Sequence, residues 1–270
     1  MATNGAGTQP STLRNRKKVD GLSSDELAAL RQGFSAMYGI DDDRGFGYHA
    51  GIHGLPLPIY CQHHDLLFLP WHRAYLYFFE QGMQDQVAGV TLPWWDYYAG
   101  AGPAIPDAYA QERVDGAANP LAHGPITGIP QDQWVRLGDG RPLPESTGRT
   151  PGELAPFPNQ SDVQQALDAP TFIDFSNFAE SVHDNVHVWV GGTMSEVPVA
   201  AFDPIFWAHH CTIDRLWYLW QLGHPGGDPP RSILGRALAP FPMTVADTLS
   251  INALGYEYAA AEVVLPGAGR

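Results

Sequence analysis

Hydrophobic spacing divides the chain into two helical stretches, a long irregular middle and two more helical stretches. Leu27, Leu30, Phe34 and Met37 recur at three- and four-residue steps, which places them on one face of a helix. Ser23 and Glu26 form a capping-box pattern at its start, and Gly39 is its stop. Residues 41–60 read as loop. From Trp71 to Gln86 the positions of Leu76, Phe79 and Met83 predict a second helix, and the same spacing resumes over 174–190 and 205–221. LPWWDYY, residues 92–98, is a short aromatic stretch. Residues 100–171 hold eleven of the twenty-four prolines and many glycines, so ordered loop wrapped over a core is expected there. Residues 1–20 read as a flexible lead-in. Residues 224–270 read as a C-terminal wrap with short β pieces in TLSINAL and EYAAAEVVL. No internal repeat or domain boundary is visible, so 1–270 is expected to form one domain.

Composition narrows this picture. Hydrophobic residues make up 44% of the chain and charged residues 16%, the balance of a packed globule. A net charge of -14 sets nucleic acid and anionic membranes aside as partners. No apolar run approaches the roughly 18 residues of a membrane span. The first twenty residues carry charge with no apolar segment behind it, so no secretory signal is visible. A cytoplasmic protein is expected, or one exported with a helper protein. Both cysteines, Cys61 and Cys211, sit beside candidate ligands, which argues against a structural disulfide.

The candidate chemistry lies in the histidines, six of eleven falling in two spaced triplets. His183 and His187, four apart on a predicted helix, emerge on one face about 6 Å apart, a spacing that suits one metal ion. His210 lies on the next helix among aromatic residues, where an unpaired imidazole is costly. His209 competes with it but points roughly 100° away. In the first half, His72 opens a helix and His63 lies in the loop before it. The third ligand comes from upstream, where His49 and His53 both qualify. His53 is the better fixed, between Gly51, Gly54 and two prolines. His64 is expected to face solvent or a carboxylate. Three-imidazole sites suit copper or zinc. Zinc would give two separate hydrolytic sites, yet no HExxH or HxE motif accompanies them, and paired copper fits better.

At these residues the chain resembles the tyrosinase and polyphenol oxidase family, the coupled dinuclear (type 3) copper proteins. The resemblance covers roughly residues 12–222. Its first motif runs from His63 through FLPWHR to Glu80, and its second, DPIFWAHHCTID, from Asp203 to Asp214. LPWWDYY is similar to the family's L-P-Y-W-D-W segment, GIHGLP to a fungal first-ligand segment, and Tyr256 and Tyr258 to its Y-x-Y motif. The resemblance implies a mainly α fold: a central antiparallel four-helix bundle holding a dicopper site, with long ordered loops and a few short β pieces. It implies copper A on His53, His63 and His72, and copper B on His183, His187 and His210, with O2 as co-substrate. Cys61, two residues before His63, matches a C-x-H arrangement in which a thioether joins sulfur to the histidine ring.

The implied activity is ortho-hydroxylation of monophenols and oxidation of o-diphenols to o-quinones. The alternative is a catechol or o-aminophenol oxidase without the hydroxylation step. Glu180 stands where some members place a glutamate that orders a water able to take the phenol proton. Asp184 occupies a place that is often asparagine. An aspartate there serves as an extra base, or repels anionic substrates, or favours amines. Asp214 is expected to orient a ligand imidazole or an arginine. Phe206 is expected to pack over the site and stack on the substrate ring, and Val188 to shape the entrance. Trp71, Trp207, Trp217 and Trp220 belong to the core. The residues after 222 leave the site uncovered, which favours an enzyme over a hemocyanin-like oxygen carrier. Expected partners are a small phenolic or aminophenolic substrate and a small copper-loading helper protein. The 100–171 segment and the loop after Gly191 are expected to rim the pocket.

Overall fold

The computed structural model describes residues 13–96, 104–137 and 142–258. Residues 1–12 of the lead-in, Tyr97 and Tyr98 of the aromatic stretch, residues 100–103 and 138–141 of the loop segment, and everything after Tyr258 lie outside the described residues. The fold is mainly α, as expected. Helix α1 (Ser24–Tyr38) starts where the capping box required: the Ser23 hydroxyl accepts from the Glu26 N–H and the Glu26 carboxylate accepts from the Ser23 N–H. Leu30, Phe34 and Met37 are buried beneath it.

Helix α2 (Phe46–His53) corrects the reading of 41–60 as loop. Its sequence, FGYHAGIH, shows no amphipathic period because the helix is buried on most sides, and its two glycines read as breakers. They instead permit close approach: a Cβ at Gly47 would lie 2.6 Å from Thr127 Oγ1. Helix α3 (Phe68–Gln86) begins three residues before the predicted Trp71, with Pro70 tolerated in the first turn. The middle of the chain contains short elements between loops: α4 (Asp107–Ala110), the hairpin of β2 (Arg113–Val114) and β3 (Ala117–Ala118), α5 (Gln131–Leu137) and α6 (Gln160–Leu167). Helices α7 (Phe172–Val190) and α8 (Pro204–Gly223) are capped by Thr171 and Asp203, with Pro204 at the first position of α8.

Helix α3 packs against α1, α7 and α8, and α7 packs against α8. Helix α2 is pinned to α3 by the Tyr75 hydroxyl, which donates to the His49 carbonyl at 2.6 Å. Trp71, Trp207, Trp217 and Trp220 are each at most 1% exposed, the core role expected of them. Two expectations at the chain ends are overturned. The part of the lead-in from residue 13 on is ordered: β1 (Arg14–Arg16) pairs in parallel with β4 (Tyr256–Tyr258). TLSINAL is not a strand. Thr248 ends a 3-10 turn begun at Val245, and residues 249–255 continue as turns that bury Ile251.

Strands β1 and β4 are held to α3 and α8 by a buried ionic network that no local pattern could reveal. Arg16 and Arg73 both reach Asp214, Arg16 also contacts Glu80 at 2.9 Å, and the Tyr256 and Tyr258 hydroxyls donate to Asp214 Oδ2 at 2.7 and 2.6 Å. Arg73 further donates to the Thr248 carbonyl at 3.0 Å. Asp214 therefore orients arginines, one of its two expected roles. Burial works to raise its pKa, but the two guanidiniums and the Tyr258 hydroxyl outweigh it and hold the carboxyl below its usual value. Removing Asp214 takes the carboxylate from two buried guanidiniums and the hydrogen-bond acceptor from two buried tyrosine hydroxyls. Asp214→Ala is expected to cost about 3–5 kcal/mol of stability in urea unfolding, and a loss below about 1 kcal/mol would show that the network relaxes into water.

Candidate metal centre

Helix α7 presents His183 and His187 one turn apart, and α8 brings His210 against them. His210 Nε2 lies 3.2 Å from His183 Nε2 and 3.3 Å from His187 Nε2. The opposite nitrogens assign the tautomers. His187 Nδ1–H donates to the Met194 carbonyl at 2.7 Å and His183 Nδ1–H to Asp184 Oδ1 at 2.9 Å. Their Nε2 atoms then carry lone pairs aimed at one point, an arrangement that repels unless a cation occupies it.

The second set is looser: the ligand atoms of His53, Cys61 and His63 lie within 4.8 Å of one another, and His72 stands beside them. His53 Nδ1–H donates to the Val197 carbonyl at 3.2 Å and His72 Nδ1–H to the Phe68 carbonyl at 2.8 Å. The Nε2 atom of each is buried with no hydrogen-bond partner. His63 comes from the loop before α3, its ring centroid 5.4 Å from that of His53 and 5.3 Å from that of His72. The triplets face each other, with His72 stacked on His210 at 4.6 Å and His63 on His183 at 5.6 Å. Each triplet offers three imidazole nitrogens, the donor set for a copper-type ion. The geometry also separates the upstream candidates: His49 stands edge-on to Phe79, its Nε2 packed near Gly82, while His53 faces the cluster. His209 lies nearer than the helical angle suggested. It stacks on His183 at 5.1 Å, with one nitrogen within 4.8 Å of the nitrogens of the α7–α8 triplet.

Burial keeps these rings neutral. It lowers the pKa of His53, His72, His183, His209 and His210 well below the usual value, helped by repulsion between neighbouring imidazoles, and lowers His63 and His187 to about 4.

A cavity of about 450 Å³ opens onto the cluster, lined by His53, His63, His64, His183, Asp184, His187, Val188, Met194, Ser195, Val197 and Ala200. Val188 and the loop after Gly191 thus stand at the pocket as expected. The described part of 100–171 does not line it and instead buttresses that loop: Thr150 N–H donates to the Val190 carbonyl and Thr193 N–H to the Gly148 carbonyl, both at 2.9 Å. Gly191 makes the loop possible. Its φ is +65°, and a Cβ there would meet Thr150 Oγ1 at 2.4 Å.

Phe206 packs over the site, 4.0 Å from the His210 ring and 4.9 Å from His53. It is fully buried, is not among the residues lining the cavity, and packs against the imidazoles of His53 and His210. Glu180 is also off the wall. Its Oε1 accepts the His64 backbone N–H at 2.6 Å, and burial raises its pKa. His64, with φ +54°, meets both expectations: its side chain is 80% exposed and its Nδ1 is 3.8 Å from Glu180. Sequence reading missed this amide contact, which depends on a left-handed backbone. Asp184 is the carboxylate on the cavity wall, and burial raises its pKa. Cys61 and Cys211 are both free thiols, and Cys61 Sγ lies 3.6 Å from His63 Nδ1.

The match to the common central domain of tyrosinase spans residues 43–222. The chain belongs to the tyrosinase family. Proteins of this family use two copper ions. The chain is 36% identical to a tyrosinase of Streptomyces glaucescens over 186 residues, 61% of this chain and 65% of that protein. It is 31% identical to an A-type hemocyanin of Enteroctopus dofleini over 227 residues, 76% of this chain and 18% of that protein. The chain thus spans less than two thirds of the length of these curated relatives. In fold it superimposes on a functional unit of octopus hemocyanin with a TM-score of 0.78 at 25% identity, covering 94% of this chain and 69% of that one. No helix among the described residues is long and apolar enough to cross a membrane.

Neutral buried histidines make the metal-free chain acid-sensitive. Their folded pKa values lie below the unfolded value near 6.5, so the unfolded state binds more protons between about pH 6.5 and 4, and stability falls as pH falls through that window. The melting temperature of the metal-free protein is expected to drop by about 10 °C or more across it. A flat profile from pH 6.5 to 4 would mean that the rings are not buried neutral.

Proposed function

We propose that the chain is a dicopper oxidase acting on small phenols, with copper A on His53, His63 and His72 and copper B on His183, His187 and His210. It ortho-hydroxylates monophenols and oxidises o-diphenols to o-quinones. The observation that carries this reading is the pair of facing imidazole triplets, four of whose rings, His53, His63, His183 and His187, line an open cavity. Bound there, the coppers supply the two-electron chemistry of dioxygen: two catechols and one O2 give two quinones and two waters, and one monophenol with one O2 gives one quinone and one water. Zinc hydrolysis is disfavoured because, among the described residues, no carboxylate is grouped with either triplet to bridge two ions.

The protein's own part is binding and proton handling. Val188, Met194, Val197 and Ala200 give the ring an apolar wall above the imidazoles. Glu180, held by the His64 amide and raised by burial, takes the phenol proton through an intervening water. Asp184 accepts from His183 Nδ1–H, which fixes that imidazole with Nε2 directed inward. A second reading, a catechol or o-aminophenol oxidase without hydroxylation, is favoured by the same bond, since it engages one of the two carboxylate oxygens and leaves only Oδ2 to offer to a water. Supplying a monophenol, a catechol and an o-aminophenol to copper-loaded protein under air separates the two. An oxygen carrier like the hemocyanin relatives is disfavoured by the access the cavity gives to a ring.

Metal analysis should find two coppers per chain. His53→Ala should hold about one, whereas His49→Gln should keep both; the reverse result would exchange their roles. Glu180→Gln is expected to slow monophenol hydroxylation by about 100-fold or more while catechol oxidation changes by less than about fivefold. Equal loss of both would remove Glu180 from proton transfer. The approach of Cys61 Sγ to His63 supports a thioether. Forming it loses the thiol hydrogen and one ring hydrogen to O2, so the copper-loaded chain should weigh two hydrogens less than Cys61→Ser predicts after correction for the substitution. Burial pushes the Cys61 thiol up to about 12, so it stays protonated until that reaction.

A further inference from the structure

We propose that the cavity sorts phenols by charge: it favours aryl substrates whose side chain bears an amine over those whose side chain bears a carboxylate, and Asp184 is the selecting group. This deepens the oxidase reading and rests on it.

The wall of the cavity decides the sign. Apart from the proposed ligands, the ionisable side chains that line it are Asp184 and His64; the remaining lining is Val188, Met194, Ser195, Val197 and Ala200. No lysine or arginine lines it among the described residues, so a substrate carboxylate finds no guanidinium or ammonium there. His64 does not reverse this. Its imidazole stands 3.8 Å from Glu180, whose carboxylate is nearly buried. Asp65, close enough for Glu180 to sense, is matched by Arg236 at 3.7 Å. Asp184, which has the His64 imidazole nearby, is the anionic group on the cavity wall.

Its position is fixed as well as its sign. The carboxylate is held by His183 Nδ1–H at 2.9 Å through Oδ1 alone, and its side chain is 44% exposed. Asp184 follows His183 directly, so the bond ties the charge to the rim of the site. A ring that brings its hydroxyl to the imidazoles directs its para substituent outward, towards that rim. A charged group there meets Asp184 before bulk water, and the surrounding surface, at -14 overall, has the same sign. The expected discrimination is about tenfold, the scale of a single partly exposed charge contact in low salt.

The test uses the copper-loaded full chain and three catechols with the same reacting group: dopamine, 3-(3,4-dihydroxyphenyl)propanoate and uncharged 4-methylcatechol. Dopamine should exceed the propanoate about tenfold in kcat/KM at low ionic strength. The ratio should shrink towards one in about 0.5 M salt, where surface charges are screened. Asp184→Asn keeps an oxygen for the His183 N–H but removes the charge, so it should lower the ratio severalfold by raising KM for dopamine and lowering it for the propanoate. A ratio near one or inverted, or one that Asp184→Asn leaves unchanged, overturns the charge selection; turnover of 4-methylcatechol in the same assay keeps the oxidase reading intact. Failure to oxidise 4-methylcatechol sinks that reading instead. The affinities of the two charged catechols for the loaded chain under argon then decide the selection, equal affinities overturning it.

Discussion

Buried imidazole lone pairs aimed at each other are the constraint around which this fold is arranged. Three Nε2 atoms meet at 3.2 and 3.3 Å on the α7–α8 side, and two more are buried without hydrogen-bond partners on the α2–α3 side. The Nε2 atoms of His183 and His187 are both acceptors directed at His210, and those of His53 and His72 are buried acceptors without a donor, which costs free energy when no cation is bound. They persist because everything around them is fixed. Backbone carbonyls of Val197, Phe68 and Met194 hold three of the rings by Nδ1–H, and Asp184 holds a fourth. Phe206 fills the space behind His53 and His210.

One loop serves both triplets. The turn at Gly191 sends the chain back across the site, so that the Met194 carbonyl receives His187 and the Val197 carbonyl receives His53, one from each triplet. The same residues form the apolar wall of the cavity. A displacement of this loop would therefore alter both triplets and the substrate wall together. The proline-rich middle of the chain holds it in place from behind, through Gly148 and Thr150, so that segment acts on the site at one remove. On the far side, the Arg16–Glu80 and Arg73–Asp214 pairs lock α3 to α8 and to the two chain ends. A metal site needs its ligands held to within a fraction of an ångström, and this buried network supplies that rigidity at the base of the two helices that carry His72 and His210.

The two carboxylates near the site differ in setting despite lying four residues apart on α7. Glu180 is withdrawn beneath His64 and held by a backbone amide, suited to handling a proton. Asp184 is bound to His183 and open to the cavity, suited to presenting a fixed charge. Environment, rather than residue type, thus separates two carboxylates that share one helix face.

The sequence by itself determined the helical stretches and most of the histidine set. The 3.6-residue period, the capping box at Ser23 and the i,i+4 pair on α7 are local signals, and the two long histidine motifs are dense enough to carry a family resemblance. Helix α2 stayed hidden because a helix buried on most sides shows no amphipathic period, and with it the choice between His49 and His53 stayed open. Both rings pack on α3, and only the tertiary structure shows that His53 stands beside His72 while His49, one turn earlier, stands beside Phe79 and Gly82. It also decided that Phe206 lies behind the ligands, that Glu180 is gripped by the amide of His64, and that Arg16 pairs with partners 64 and 198 residues away. Those outcomes depend on contacts between segments distant in the chain, where the energy of burying a charge or a ring is set by neighbours that no local window contains.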